Sequence, residues 1–329
     1  MLDYSDRTLW PTLTDVYSAR QRIQPYLART PLHSYTTIND LIGTQIFIKH
    51  ENYQPVGAFK VRGGINLVSR LEPKERQRGL IAASTGNHGQ SVSYAGQLFG
   101  APVRIIVPEG ANPGKVAAMR GMGAEVVFHG ARFDDSVRHA EALTAQHGYR
   151  YVHAGNEPHL IAGVATETLE IIEDLPDIDV IIVPIGGGSG AAGACTVARA
   201  LNPAIRVIGV QSAQSPAAQR SWQAQAIATA ANETQAEGLA TGKGFELPQA
   251  MLWAYLDDFV LVDDALISQA VAWMIERAHT LVEAAGAAPL AAAYHLREQL
   301  AGKKVALVCS GGNMSLARLR QALEIAGDA

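Results

Sequence analysis

The stretch VIIVPIGGGSGAAG, residues 180 to 193, limits the possible folds more than any other part of the chain. Val180 to Ile185 is apolar at nearly every position, so the strand it predicts must be covered on both faces. A glycine turn follows, and then an alanine-rich helical run. A strand buried on both faces and feeding a helix is the repeating unit of a parallel sheet layered with helices. Other short runs repeat the pattern, with strands predicted at Gln45 to Lys49, Gly79 to Ala83, Val103 to Val107, Glu125 to Phe128, Arg206 to Val210 and Val305 to Cys309. Helices are predicted between them, at Gly89 to Phe99, Asn112 to Gly121, Phe133 to His147, Ile161 to Leu175, Ala191 to Leu201 and Leu266 to Glu283. The alternation predicts an α/β fold with right-handed crossovers. At 329 residues the chain is long for one core, and two domains are expected.

Bulk properties narrow the function by exclusion. The net charge is −4, which leaves no basic footprint for nucleic acid or an anionic membrane. No run of about 18 uninterrupted apolar residues occurs, so no membrane span is expected. The richest stretch, TLVEAAGAAPLAAAYHL, carries Glu283 and Pro289 and reads as packed helix. The first residues, MLDYSDRTLW, hold early acids and no apolar h-region, against a secretory signal. Two cysteines, Cys195 and Cys309, make neither a disulfide framework nor a zinc site. Buried free thiols in a reducing cytoplasm are expected. The segment from Ser212 to Glu246 is the least regular, read either as an excursion near the active site or as a helix and a loop.

Four short motifs carry chemistry. In the first, GGGSG at 186 to 190, a strand runs into a glycine turn and a helix N-terminus, a natural anion cup. Gly188, Gly190 and Gly193 also spell G-x-G-x-x-G. A dinucleotide site, and with it a nicotinamide-dependent oxidoreductase, would want an acid at the end of the next strand, where Gln211 stands. There is no lysine for a nucleoside triphosphate, and Ala191 breaks a nucleophile elbow. What remains is a cup for a single phosphate. The second motif, ENYQPVGAFKVRGG at 51 to 64, sets Lys60 among small and aromatic neighbours. Poor solvation lowers an amine's pKa, and a neutral amine can form a Schiff base with an aldehyde cofactor. The third, ASTGNHGQS at 83 to 91, places Ser84, Thr85, Gly86, Asn87 and His88 at a strand-to-helix turn. Its N–H groups and hydroxyls suit a carboxylate, although helix capping by Ser84 or Asn87 is the plain alternative. In the fourth, VALVCSGGN at 305 to 313, a strand ends at Ser310, whose hydroxyl can bond a ring nitrogen. Together the four are the parts needed to bind pyridoxal 5′-phosphate and an amino acid.

In this order and spacing the motifs resemble those of the pyridoxal-phosphate-dependent serine/threonine dehydratases, the fold type II group that includes serine racemase and the tryptophan synthase β chain. The likeness runs from RTPLHSY at 29 to 35 through SGGNMSLARL at 310 to 319. It implies two open, twisted, mostly parallel sheets covered by helices. A large domain of 1–51 and 152–329 would bind the cofactor, and a small mobile domain would span 52–151. By this resemblance Lys60 carries the cofactor, Phe59 flanks its ring and Asn87 bonds its 3′-oxygen. Gly186, Gly187, Gly188, Ser189 and Gly190 hold the phosphate, and Ser310 faces the pyridine nitrogen. Ser84, Thr85, Gly86, Asn87 and His88 hold the substrate carboxylate. The reaction implied is loss of water and then ammonia from a β-hydroxy amino acid, giving a 2-oxo acid, with a homodimer as the expected assembly.

Departures from the family pattern qualify the substrate. Thr85 sits where serine racemase has a second catalytic serine, which leaves an amino acid racemase as the alternative. The divalent-cation carboxylates of that enzyme are replaced by Gln211 and Ala217, so no metal is expected there. The family's L-A-D-G segment reads LATGKGFELP at 239 to 248, with Thr241 in the acid's place. That opens serine, threonine or a bulkier β-hydroxy amino acid such as phenylserine as substrate. The alanines of VEAAGAAPLAAA are read either as room for it or as helix packing. Glu283 matches a family acid near the ring.

Overall fold

A computed structural model describes residues 3–327. Among them are ten strands: β1 (Leu32–Ser34), β2 (Gln45–His50), β3 (Leu80–Ala83), β4 (Val103–Val107), β5 (Glu125–Phe128), β6 (Arg150–Tyr151), β7 (Val180–Pro184), β8 (Arg206–Ser212), β9 (Asp258–Val262) and β10 (Lys304–Cys309). They form two sheets, a six-stranded one in the order β1-β2-β10-β7-β8-β9 and a four-stranded one in the order β5-β4-β3-β6. Every pairing is parallel except β1 with β2. The last strand, β10, inserts between β2 and β7, with Lys304 opposite Gln45 and Cys309 opposite His50. Early and late parts of the chain therefore build one sheet, while the four-stranded sheet is drawn entirely from residues 80–151.

The pattern at 180 to 185 has the expected cause. Val180 and Ile182 join a core that includes Ala287, Ala288 and Ala291 of the helix Ala284–His295. Ile181 and Val183 join another with Ala191, Ala194 and Ala198 of the helix Ser189–Leu201. One strand thus feeds two cores through its alternate side chains. The alanines between 284 and 293 are almost all buried in this packing, so close helix-to-sheet contact accounts for them.

Of two predicted helices, one is shorter and one is divided. The one expected over 266–283 is Asp264–Ala278, closed by His279 in the left-handed region at φ 52°. The chain then turns so that Glu283 N donates to Gly311 O at 3.0 Å, and the next helix starts at Ala284. The one expected over 161–175 is Pro158–Val164 followed by Thr166–Asp174. In the segment 212–246 both readings hold. A helix, Ala217–Ala224, is followed by irregular chain that returns to the cup, where Thr241 Oγ1 lies 3.3 Å from Gly186 O.

Candidate active site

Lys60 opens the helix Lys60–Ser69, and the turn before it is laced to the loop after β10. Phe59 N donates to Ser310 O at 3.0 Å, and Gly312 N donates to Gly57 O at 2.9 Å. Ala58 and Gly311 form an isolated antiparallel bridge. The lysine and the strand-end serine, remote in sequence, are thereby neighbours at the carboxyl end of the larger sheet, where open α/β sheets place their ligands.

A buried ionic cluster fixes the start of the lysine helix. Arg62 is 1% exposed and Glu51 is fully buried. Arg62 donates from Nε and Nη2 to Glu51, both at 2.8 Å, and from Nη1 and Nη2 to Glu170 at 2.7 and 2.8 Å. Lys49, also fully buried, donates to Glu170 Oε2 at 2.6 Å. Two cations and two carboxylates balance, and the multiple donor–acceptor pairs offset the desolvation that would make such a cluster unfavourable. The pairing carboxylates hold the Arg62 guanidinium charged against its burial. A third carboxyl, Glu167, is fully buried with neither oxygen hydrogen-bonded. Burial, with Glu51 and Glu170 nearby, pushes it well above the carboxylate range.

The Lys60 amine points inward. Its Nζ is 2.6 Å from Ser189 Oγ, 3.5 Å from Ala154 O and 4.9 Å from the centre of the Phe59 ring. Burial pulls it down to about 8, with Glu167 pulling the other way. About a tenth of the amine is therefore neutral and nucleophilic at pH 7, far more than for a solvated lysine.

The cup beneath it is built from backbone. Among the described residues, the N–H groups of Gly186, Gly187, Gly188, Ser189, Gly190 and Ala191 find no backbone acceptor. Helix geometry guarantees this for the last three, which open the helix Ser189–Leu201. The loop is packed too closely for side chains. A Cβ on Gly186 would lie 2.2 Å from Gly238 O, and one on Gly187 would lie 2.6 Å from the Phe245 ring. Gly188 has φ 86°, a left-handed value that favours glycine. Phe59 closes one wall, its ring 3.2 Å from a Cβ built on Gly190. Orphaned donors, a helix N-terminus and a facing amine fit a phosphate-bearing aldehyde.

The turn at 84–88 holds a second group of free donors. Ser84 Oγ accepts from Gly86 N at 3.2 Å and from Gly89 N at 2.9 Å, so its oxygen serves the turn and its proton remains free to donate. The N–H groups of Thr85, Asn87 and His88 find no backbone acceptor among the described residues. His88 is buried, and burial pushes its ring down to about 3. Nε2 lies 2.9 Å from Val152 O, so this nitrogen carries the proton and Nδ1 presents a lone pair with no partner. His88 can meet an anion only through its backbone N–H. Thr85 and Gly86 are half-buried at the bend.

Four further residues complete the surroundings. His153 Nδ1 accepts from Gly155 N and Asn156 N at 3.0 and 2.9 Å, and its ring meets Phe245 edge-on. Lys115 pairs with Glu237, and its Nζ lies 3.9 Å from a Cβ built on Gly86. Asn313 donates to Asn87 Oδ1 at 2.8 Å. Glu283 accepts from Asn87 Nδ2 at 2.6 Å, and burial pushes its carboxyl up to about 7 against the pull of Lys115. Of these only Glu283 is marked by the sequence; His153 and Lys115 lie outside the glycine-rich motifs, and Asn313 ends one.

Residues 23–311 match the profile of a family described as pyridoxal-phosphate dependent enzyme. The chain is 37% identical over 308 residues to an L-threonine ammonia-lyase of Thermotoga maritima, covering 93% of this chain and 76% of that enzyme. It is 35% identical to an L-threo-3-hydroxyaspartate ammonia-lyase of Saccharomyces cerevisiae, covering 94% and 95%. Among solved structures, serine racemase from Dictyostelium discoideum superposes with a TM-score of 0.88 at 33% identity, covering 93% of this chain and 99% of that one.

Proposed function

The chain belongs to the family of pyridoxal-phosphate dependent enzymes, and on that footing we propose that it removes water and then ammonia from a β-hydroxy amino acid, leaving a 2-oxo acid. One observation carries the reading: a half-buried amine, Lys60 Nζ, stands 2.6 Å from Ser189 Oγ at the rim of a cup of unpaired N–H groups. When bound, the cofactor supplies an aldehyde for that amine and an electron-poor ring that draws charge from the substrate's Cα.

The chain's own residues do the rest. The N–H groups of 186–191 would orient and hold the phosphate, with Phe59 against the ring. The N–H groups of Thr85, Asn87 and His88, with the Ser84 hydroxyl, hold the substrate carboxylate. Lys60 Nζ, once free and neutral, takes the Cα proton. Ser310, just after β10, would meet the ring nitrogen with an uncharged hydroxyl, a partner that would favour departure of the β-hydroxyl over transamination. A compact substrate, serine or threonine in size, is favoured over phenylserine, because the alanines of 284–293 are taken up by packing. Residues 52–151 would move as a small domain against the rest, and Lys115 with Glu237 would meet across the mouth. A homodimer and a cytoplasmic setting belong to the same proposal.

A second reading, racemisation, has one residue in its favour. Thr85 is half-buried at the carboxylate turn, where its hydroxyl can pass a proton to the opposite face of Cα. One experiment separates the two. Purified enzyme is given L- and D-serine, L-threonine, L-threo-3-hydroxyaspartate and phenylserine, with 2-oxo acid release and recovered chirality both measured. Fastest 2-oxo acid release from an L-β-hydroxy amino acid is expected. Inversion without 2-oxo acid would overturn the proposal in favour of the racemase.

A further inference from the structure

Asn87 is assigned to the cofactor's 3′-oxygen, yet an asparagine amide can present either its N–H or its carbonyl. The surrounding hydrogen bonds decide which. Val56 O is a backbone carbonyl and can only accept. Asn313 Nδ2 lies 2.7 Å from it and must be the donor. The same nitrogen lies 2.8 Å from Asn87 Oδ1, so its second hydrogen goes there. Asn87 Oδ1 is thus occupied as an acceptor, and Asn87 Nδ2 gives one hydrogen to Glu283 Oε1 at 2.6 Å. One N–H of Asn87 is left over.

Two glycines allow this chain of bonds. A Cβ on Gly57 would lie 2.9 Å from Asn313 Oδ1, and a Cβ on Gly311 would lie 2.6 Å from Glu283 Oε1. The backbone bond from Glu283 N to Gly311 O, 3.0 Å, ties the acid to the loop that carries Asn313. Segments around residues 56, 87, 283 and 313 converge on a single amide.

We propose that Asn313 and Glu283 are positioning residues for Asn87, locking its amide so that the remaining N–H, and not the carbonyl, is offered to the cofactor's phenolic oxygen. The inference rests on the cofactor reading above. A donor at that oxygen favours its deprotonated form, which absorbs at longer wavelength, and adds about tenfold to cofactor affinity.

The test is a double-mutant cycle read by absorption and by cofactor dissociation. The Asn313→Ala and Asn87→Ala variants are each expected to lose long-wavelength intensity to a shorter-wavelength band, with cofactor bound about tenfold more weakly. The double variant should match Asn87→Ala alone, since Asn313 acts only through Asn87. Asn313→Asp, similar in shape but unable to donate to Val56 O, should behave as Asn313→Ala and serves if the alanine variant does not fold. A wild-type spectrum in the position 313 variants, or effects that simply add in the double variant, would overturn the proposal while leaving the cofactor reading intact. A wild-type protein that takes up no cofactor would overturn both.

Discussion

An amine half-buried between an aromatic ring and a serine hydroxyl behaves unlike a surface lysine. At position 60 desolvation lowers the pKa to about 8, against the pull of the Glu167 carboxyl. Attack on an aldehyde needs the neutral amine, so the sign is fixed: capture speeds up as the proton leaves. For cofactor-free enzyme, the rate of pyridoxal phosphate capture is expected to rise about tenfold per unit of pH below 8 and to level off above it. Stopped-flow absorption against pH measures this. A rate still climbing steadily to about pH 10 would mean an ordinary, solvated lysine. The lowered pKa of Lys60 was legible in the sequence because small and aromatic neighbours flank it. Asn313 and Lys115 were not, because what matters about each is a partner far away in the chain, Asn87 for one and Glu237 for the other.

Among the elements, strand-end loops form the proposed site, and the chain's glycines are constrained unequally. Gly186 has no room for a methyl group, with Gly238 O 2.2 Å from where it would sit, whereas Gly121 has nothing within 4 Å. Gly186→Ala must therefore push the 237–239 turn away or deform the cup. A loss of about tenfold to hundredfold in cofactor affinity is expected, equivalent to about 1–3 kcal/mol of overpacking. Gly121→Ala should leave affinity unchanged. Fluorescence titration with the cofactor measures both, and equal affinities would contradict the cup. The strands that bear these loops, β7 and β10, were readable because burial on both faces makes them apolar almost throughout. The strands not foreseen, β1, β6 and β9, are a three-residue antiparallel edge, a two-residue edge and an edge flanked by acids. Edge strands need only one covered side, so their sequences carry less of the pattern. The helix expected through 283 ran too long because nothing local marks His279 as a stop. Its left-handed turn serves the approach of Glu283 to Gly311.

The whole molecule brings together what the chain separates. β10 completes the larger sheet from the far end of the sequence, and it sets Ser310 beside the turn of Lys60. Arg62, Glu51, Lys49 and Glu170 pin that turn from beneath, through residues of four different elements. The fold class followed from the alternation of strands and helices, but this cluster did not, since buried charges look like surface charges until their partners are known. All of this arranges one amine over one cup. The direct measurement is borohydride reduction of the holoenzyme followed by proteolysis and peptide mass mapping. A single cofactor-sized addition, on the side chain of Lys60, is predicted. An unmodified Lys60, or the addition on any other lysine, would contradict the account.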